Sequence, residues 1–405
     1  MMRRQAVTRL FLLLLVIAVS ITASVRLKAD SGTCNGVLVT VPFTDVSGNA
    51  FFCQIAGAFF SGLTNGTSAT TYDPGSVVTR DQMAAFTTRT LDQSLKRGSR
   101  RGALNQWWTT TPHIDIDLGT TIVGTFPFVP QSDGADIWVP NFGSNNVSRV
   151  RASDGKLLDT WPGPTEPIAA LCAMGRVFVT SQTNPGSLYM IDPAQSAGTA
   201  TLVANNLGIF PQGIAFDGNR IWTANFGTAV LAGSVSIVTP GASLPWSVTT
   251  VSTGFTQLQG ILYDGNNIWV TDSPAGKLIK LGSNGAILQT ITVGTFPEFL
   301  TFDGTNIWVP NALNDTITVV RASTGTILAT LTGNGLIRPH SAAFDGERIL
   351  VTNINGGGVV SLWKASDLTP LGSFPAMTGS GPVTAVCSDG LYFWITGGSN
   401  KLARF

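Results

Sequence analysis

Short apolar runs separated by turn residues recur along most of the chain. One unit places such runs at 297–302, 306–311, 316–320 and 326–331, with an Asp-Gly turn between the first two. Runs of this length that are rich in Val, Ile, Thr and Phe and bounded by turn residues are typical of β-strands. The unit therefore predicts four consecutive strands.

The turn between the first two strands identifies a tandem repeat. It reads Asp-Gly-x-x-Ile-Trp at four places, which begin at Asp133, Asp217, Asp264 and Asp303. Weaker copies begin at Met174, Asp345 and Asp389. The key apolar residue falls at 138, 178, 222, 269, 308, 350 and 394, so that successive copies are 39 to 47 residues apart. This period suits one four-stranded blade per repeat and predicts a mostly β protein with a seven-bladed β-propeller.

One strand precedes the first repeat. Residues 120–127 read Thr-Thr-Ile-Val-Gly-Thr-Phe-Pro and nearly repeat residues 290–297, which finish a blade, while the last repeat, 382–405, ends after three strands. We therefore predict a propeller over 115–405 in which the N-terminal strand, 115–123, completes the last blade. This arrangement leaves no open blade edge.

Residues 42–91 have a different pattern. An apolar helical stretch at 51–60 is followed by a second helix start, where Thr79 and Gln82 have the spacing of a capping box. The segment contains, in order, Phe43-Thr44-Asp45-Val46, Gly62-Leu63-Thr64-Asn65-Gly66, Tyr72-Asp73-Pro74-Gly75 and Val78-Thr79-Arg80-Asp81-Gln82. It resembles an S-layer homology (SLH) module, a small helical unit, which we assign to 30–91.

The SLH resemblance implies binding to a cell-wall glycan through Asp45, Thr79 and Arg80. The family usually carries three modules, and this sequence has one. It also has Asn49-Ala50-Phe51 where the family has an aromatic-Ala pair. The alternative for Arg80 is an ion pair near the helix start.

The N-terminal residues have the pattern of a secretory signal. Arg3, Arg4 and Arg9 precede a charge-free apolar run at 10–25. We expect a signal peptide over 1–29, with cleavage after Ser20, Ser24 or Ala29, and a secreted protein attached to the bacterial cell envelope or surface. An uncleaved membrane anchor is the alternative. An ordinary basic n-region is favoured over a twin-arginine signal.

Charge and composition exclude some partners. The chain has 24 basic and 23 acidic residues, so no strong field attracts nucleic acid or an anionic bilayer. A basic linker over 92–114 contains Lys96, Arg97, Arg100 and Arg101, followed by Trp107-Trp108. Such a run is typical of a solvated surface; contact with an anionic wall polymer is the alternative.

The four cysteines fall into two groups. Cys34 and Cys53 are close together in an exported segment, which predicts a disulfide; two separate buried thiols are the alternative. Cys172 and Cys387 occupy the same slot in two blades that are not neighbours, and we interpret them as small apolar residues within strands.

One position per repeat is expected to line the central channel. It is the residue after the opening Pro or its equivalent, and the seven copies are Phe128, Ile168, Gln212, Gln259, Glu298, His340 and Val383. Gln212, Gln259, Glu298 and His340 form one polar arc and are the candidate ligand-binding site. The alternative is that they are polar only because water fills the channel.

Two propeller resemblances bear on function. Trp-Val-Pro-Asn at 138–141 and 308–311, with Asn-Asn-Val-Ser at 145–148, resembles the YVTN family of surface-protein propellers. Glu298 and His340 match in part the streptogramin lyases, which use His and Glu on adjacent blades around a metal, but the second His is missing.

We therefore expect a non-catalytic binding or surface-structural protein. Its propeller face would be presented to a protein or glycan partner, with propeller lyase or hydrolase chemistry as the alternative. No cofactor and no metal site are predicted. The chain has only two His residues, and its Asp-Gly turns lack the alternating acidic spacing of a calcium loop. Asp and Gly are simply the residues that tight turns favour.

Overall fold

A computed structural model of the chain describes residues 29–34, 37–97, 119–377 and 382–405, without the side chains of residues 37 and 91–97. The expected signal segment up to residue 28, the linker from 98 to 114 and residues 115–118 of the predicted closing strand lie outside the described residues. In the part that is described, no helix is both long enough and apolar enough to span a membrane.

The propeller has seven blades within the described residues, each an antiparallel four-stranded sheet. From the inner to the outer strand, the blades are as follows: blade 1, β4 (Gln131–Ser132), β5 (Asp136–Asn141), β6 (Asn146–Arg151), β7 (Leu157–Pro162); blade 2, β8 (Pro167–Ala173), β9 (Arg176–Ser181), β10 (Gly186–Ile191), β11 (Thr201–Leu207); blade 3, β12 (Pro211–Phe216), β13 (Ile221–Asn225), β14 (Ser234–Thr239), β15 (Ser247–Val251); blade 4, β16 (Leu258–Tyr263), β17 (Ile268–Asp272), β18 (Lys277–Leu281), β19 (Ile287–Thr292). The remaining three are blade 5, β20 (Thr301–Phe302), β21 (Asn306–Asn311), β22 (Thr316–Arg321), β23 (Ile327–Leu331); blade 6, β24 (Pro339–Phe344), β25 (Arg348–Asn353), β26 (Val359–Lys364), β27 (Pro370–Pro375); and blade 7, β28 (Val383–Ser388), β29 (Phe393–Gly397), β30 (Lys401–Arg404), β3 (Thr120–Ile122).

The last blade joins the two ends of the propeller. β3 pairs with β30, with Thr120 opposite Ala403 and Ile122 opposite Lys401. Val123 follows β3, is buried, and donates its N–H to the carbonyl oxygen of Asn400 at 3.0 Å. The strand that precedes the first repeat thus supplies the outer strand of blade 7, the position in which the sequence analysis placed 115–123.

The aspartate of the repeated turn does more than form the turn. In blade 5, Asp303 Oδ1 accepts the backbone N–H groups of Thr305 and Asn306 at 2.8 and 2.7 Å, and its Oδ2 accepts the indole N–H of Trp308 at 2.9 Å. The same indole bond joins Asp133 to Trp138, Asp217 to Trp222, Asp264 to Trp269 and Asp389 to Trp394. All five tryptophans are fully buried. In these five repeats the Trp follows the Asp by five residues, because one carboxylate bonds to both the turn and the core aromatic ring.

Within residues 29–34 and 37–97, the N-terminal segment contains a hairpin and two helices. Its elements are β1 (Ser31–Cys34), β2 (Val37–Thr40), α1 (Phe52–Phe60) and α2 (Arg80–Arg97). A disulfide joins Cys34 in β1 to Cys53 in α1. At the start of α2, the Thr79 N–H donates to Gln82 Oε1 at 2.9 Å and the Gln82 N–H donates to Thr79 Oγ1 at 3.4 Å, which is a capping box.

This segment packs against blades 5 and 6. Phe43, Ile55 and Phe60 share one hydrophobic cluster with Trp308 and Trp363. The end of α1 is also held by polar contacts, because the carbonyl oxygen of Phe60 accepts from Asn306 Nδ2 at 3.0 Å and from Arg321 Nη1 at 3.1 Å. These donors satisfy a helix-terminal carbonyl that has no partner within the helix. The N-terminal segment and the propeller therefore share a continuous core.

Candidate binding site at the channel mouth

Equivalent backbone pairing defines one channel position in each blade. The residue just before this position lies opposite the last residue of the second strand: Pro211 opposite Asn225, Leu258 opposite Asp272, Pro297 opposite Asn311 and Pro339 opposite Asn353. The next residues are Gln212, Gln259, Glu298 and His340. All four predicted site residues thus occupy equivalent positions at the start of the inner strand or, for Glu298, just before it. We call this position the channel mouth.

The structure corrects the sequence alignment in blade 7. Val383 lies opposite Gly397, so it occupies the place of the opening Pro, and Thr384 is the mouth residue. Successive residues of a strand point to opposite faces, so an error of one residue exchanges a core side chain for a channel side chain. Val383 accordingly is fully buried in the core formed by blades 6 and 7. The polar arc therefore extends over five blades.

Three of the predicted residues come together at the mouth. Gln259 Nε2 donates to Glu298 Oε2 at 3.1 Å, and His340 Nε2 lies 3.8 Å from the same oxygen. His340 Nδ1 is 2.7 Å from the carbonyl oxygen of Thr384. A carbonyl can only accept, so Nδ1 carries the hydrogen, and Nε2 of the neutral ring is an acceptor. Among the described residues, no hydrogen bond links Gln212 to the other three.

One polar atom at the mouth has no partner. Gln259 Oε1 is buried and accepts no hydrogen bond within the described part of the chain. A buried acceptor without a donor is unfavourable by about 1–3 kcal/mol. The mouth is therefore a place where an entering donor would gain a bond that the protein alone does not form.

Burial keeps the two ionisable groups of the mouth neutral at pH 7. Glu298 and His340 are 4% and 6% exposed. Burial raises the pKa of Glu298 to about 8. The charge of Arg338 and the hydrogen bond from Gln259 lower this pKa, but by less than burial raises it. Burial also lowers the pKa of His340 to about 4. The charge of Arg338 lowers this pKa further, whereas the hydrogen bond to the Thr384 carbonyl raises it.

The inner strands that carry the site approach each other closely. A Cβ on Gly260 would lie 2.7 Å from the carbonyl oxygen of Glu298, and one on Gly213 would lie 2.8 Å from that of Gln259. Thr271 Oγ1 also donates to the Glu298 carbonyl at 2.9 Å. The backbone that positions Gln259 and Glu298 is therefore fixed from both sides, and only glycine fits at these contacts.

Aromatic rings and a cavity complete the site. The ring of Phe299 lies edge-on to His340 with centroids 5.1 Å apart, and Phe128 of blade 1 does so at 6.3 Å. Beyond the mouth, the channel contains a cavity of about 250 Å³ whose walls include Gly260, Ser341 and Ser388. This cavity could not be predicted from the sequence, because its lining residues come from all seven blades and are far apart along the chain.

The residues implied by the SLH resemblance have separate positions. Asp45 accepts the backbone N–H groups of Tyr72 and Asp73 at 2.9 and 2.7 Å and so holds that loop. Thr79 caps α2. Arg80 is exposed at the first position of α2, and in the described residues no ion pair involves it. Of the three, Arg80 is the side chain presented to solvent without a structural contact in that part of the chain.

The remaining cysteines are free thiols. Cys387 is buried and Cys172 is partly buried. Burial, and secondarily the charge of Asp133, raises the pKa of Cys172 to about 12. Across the described ranges, no group of three or more His, Cys, Asp or Glu side chains is arranged to hold a metal ion.

Comparison with known proteins shows the fold and no family. No protein-family model matches the chain, and no curated protein matches it. Among solved structures, it is similar to a streptogramin B lyase (15% identity over 72% of this chain and 96% of that one, TM-score 0.57). It is also similar to virginiamycin B lyase from Staphylococcus aureus (16%, 71% and 98%, TM-score 0.57) and to the WD40 β-propeller domain of Doa1 (11%, 72% and 96%, TM-score 0.58). Identities this low establish the seven-bladed propeller alone.

Proposed function

We propose that this protein is an exported, envelope-anchored β-propeller that binds a small polar group, free or on a peptide side chain, at its channel mouth without catalysing a reaction. The observation that carries this proposal is the convergence of Gln259, Glu298 and His340 around a 3.8 Å gap, beside an amide oxygen that has no partner. A ligand that supplies hydrogen bonds there removes the cost of the unpartnered acceptor.

The chemistry of the mouth favours binding over catalysis. At pH 7 the Glu298 carboxyl is a neutral donor and acceptor, while His340 Nε2 accepts. Acid–base catalysis by this pair would need a second activating group near the substrate. The mouth positions of blades 1 and 2 are Phe128 and Ile168, which offer none.

Changing both central residues tests the site. We expect the double variant Glu298→Gln, His340→Ala to bind small amines, amides or alcohols at least tenfold more weakly than the unchanged protein, because two of three polar contacts are altered. Binding is measured by ligand-observed NMR, with Glu347→Gln on the opposite end of the blades as the matched control. Turnover of a lactone or ester that disappears in the double variant would instead support the lyase alternative.

The anchoring part of the proposal rests on the N-terminal segment. Its order of motifs resembles an SLH module, and Arg80 is exposed while α1 faces blades 5 and 6. The module can therefore dock on the propeller and still present the start of α2 to a cell-wall glycan. The secreted, surface-attached location follows from this role and from the signal-like N-terminus.

Arg80 provides the sharper test of anchoring. Deleting 42–91 should release the propeller, but it also uncovers the apolar side of blade 5. We therefore expect Arg80→Ala to reduce co-sedimentation with purified bacterial cell wall several-fold without changing the melting temperature. Arg89→Ala is the control. Arg89 lies on the same helix as Arg80, but its side chain donates to the Leu63 carbonyl at 3.4 Å. Equal sedimentation of both variants and the unchanged protein would contradict this role.

A further inference from the structure

Two hydrogen-bond acceptors face each other at the mouth, and a third belongs to the amide that bonds to one of them. Glu298 Oε2 and His340 Nε2 are 3.8 Å apart, which is too far for a hydrogen bond between them. The third acceptor is Gln259 Oε1, the unpartnered oxygen of the amide whose nitrogen bonds to Glu298 Oε2. One donor nitrogen at an ordinary bond length of about 2.9 Å can reach both Oε2 and Nε2 at once.

We propose that the channel mouth recognises a primary ammonium group held by Gln259, Glu298 and His340. This inference rests on the proposed function and names the ligand class of the same site. A primary ammonium carries three N–H donors and no acceptor, which matches the three acceptors. A hydroxyl has one donor and a primary amide has two, so either would leave an acceptor without a partner. A free amine and a lysine side chain share the required chemistry.

The surroundings of the gap suit an alkyl chain attached to the ammonium. Phe128 is half-buried and lies edge-on to His340 from blade 1, so that methylene groups can pack beside its ring. The charged group whose field reaches both Glu298 and His340 is Arg338. Arg338 is exposed, so water screens its repulsion of a bound cation.

The inference predicts a definite pH dependence. Because burial raises the pKa of Glu298 to about 8, the free site is protonated at pH 6 and 7. An ammonium ion favours the carboxylate, so its binding releases a proton. Affinity should therefore rise about tenfold for each pH unit up to about 8 and level off above it. An alkylammonium keeps its own proton over this range, since its pKa is about 10.

The test is calorimetric titration of the whole chain with four ligands of equal length. Propylammonium is compared with propanol, propionamide and propionate at pH 6, 7 and 8. We expect propylammonium to bind at least tenfold more tightly than the others at pH 8, with the stated pH dependence. Glu298→Gln should remove both the preference and the pH dependence, and Gln259→Met should weaken binding several-fold. Glu347→Gln, at the other end of the blades, should change nothing.

The outcomes separate this inference from the function on which it rests. If propanol or propionamide binds as tightly as propylammonium and the double variant loses that binding, the mouth is a ligand site and the ammonium assignment is wrong. If no probe binds, both fail. Amine binding that is unchanged in Glu298→Gln and independent of pH also overturns the assignment. A lysine-containing peptide and its acetylated form then distinguish a protein partner from a free amine.

Discussion

Replacing Asp303 with Ala is expected to lower the free energy of unfolding by about 3 kcal/mol or more. Asp303 is fully buried and accepts from the Trp308 indole at 2.9 Å and from the Thr305 and Asn306 N–H groups at 2.8 and 2.7 Å. Alanine removes the acceptor from two buried donors, the Trp308 indole and the Asn306 N–H, and from the partly buried Thr305 N–H. Each buried donor left without an acceptor is unfavourable by about 1–3 kcal/mol. Urea denaturation followed by tryptophan fluorescence measures the change.

Blade 1 provides the matched control for this change. Asp133 forms the same bonds, to the Trp138 indole at 2.8 Å and to the Ala135 and Asp136 N–H groups at 2.9 and 2.7 Å, but its side chain is exposed. Water can replace part of what Asp133→Ala removes, so we expect a loss of about 1 kcal/mol. Equal losses at the two positions would show that burial under the N-terminal segment does not strengthen the turn.

The period of the sequence was sufficient to predict the blades. Each blade repeats the same order of strand, tight turn and strand, with Asp-Gly in six blades and Met-Gly in blade 2, so local residues determine its structure. The spacing of the apolar residues that follow these turns counted the seven blades correctly. The packing of α1 on blades 5 and 6 could not be predicted in this way. It depends on contacts such as that between Arg321 and the Phe60 carbonyl, which join residues more than two hundred positions apart.

The candidate site was only partly accessible from the sequence. In blades 3 to 6, a Pro or Leu comes directly before the mouth residue, and this rule identified the equivalent positions of Gln212, Gln259, Glu298 and His340. The same rule failed in blade 7, where Pro382 lies one residue earlier than the opening Pro of the other blades. The rule therefore selected Val383 instead of Thr384. The unpartnered Gln259 oxygen and the neutral state of Glu298 depend on burial and side-chain geometry. No sequence pattern records these properties.

Replacing residues 120–123 with four glycines is expected to destabilise the propeller by roughly 3 kcal/mol. The change removes the buried Val123 side chain and the bond from Thr121 Oγ1 to the Gly155 carbonyl at 2.6 Å. Four glycines also lose more backbone entropy on folding than the native residues. If β3 detaches, β30 becomes an exposed edge with unpaired N–H and carbonyl groups, which favours association between chains.

Thermal melting and light scattering of the full-length protein measure both effects. The control carries glycines at 194–197, four exposed loop residues of blade 2, and should melt within about 2 °C of the unchanged protein. A chain with glycines at 120–123 that melts with this control and stays monomeric would show that blade 7 does not need its N-terminal strand. A lower melting temperature with concentration-dependent association would instead locate the ring closure at the β3–β30 pair, because detachment of β3 exposes the edge of β30, whereas the control leaves every blade edge paired.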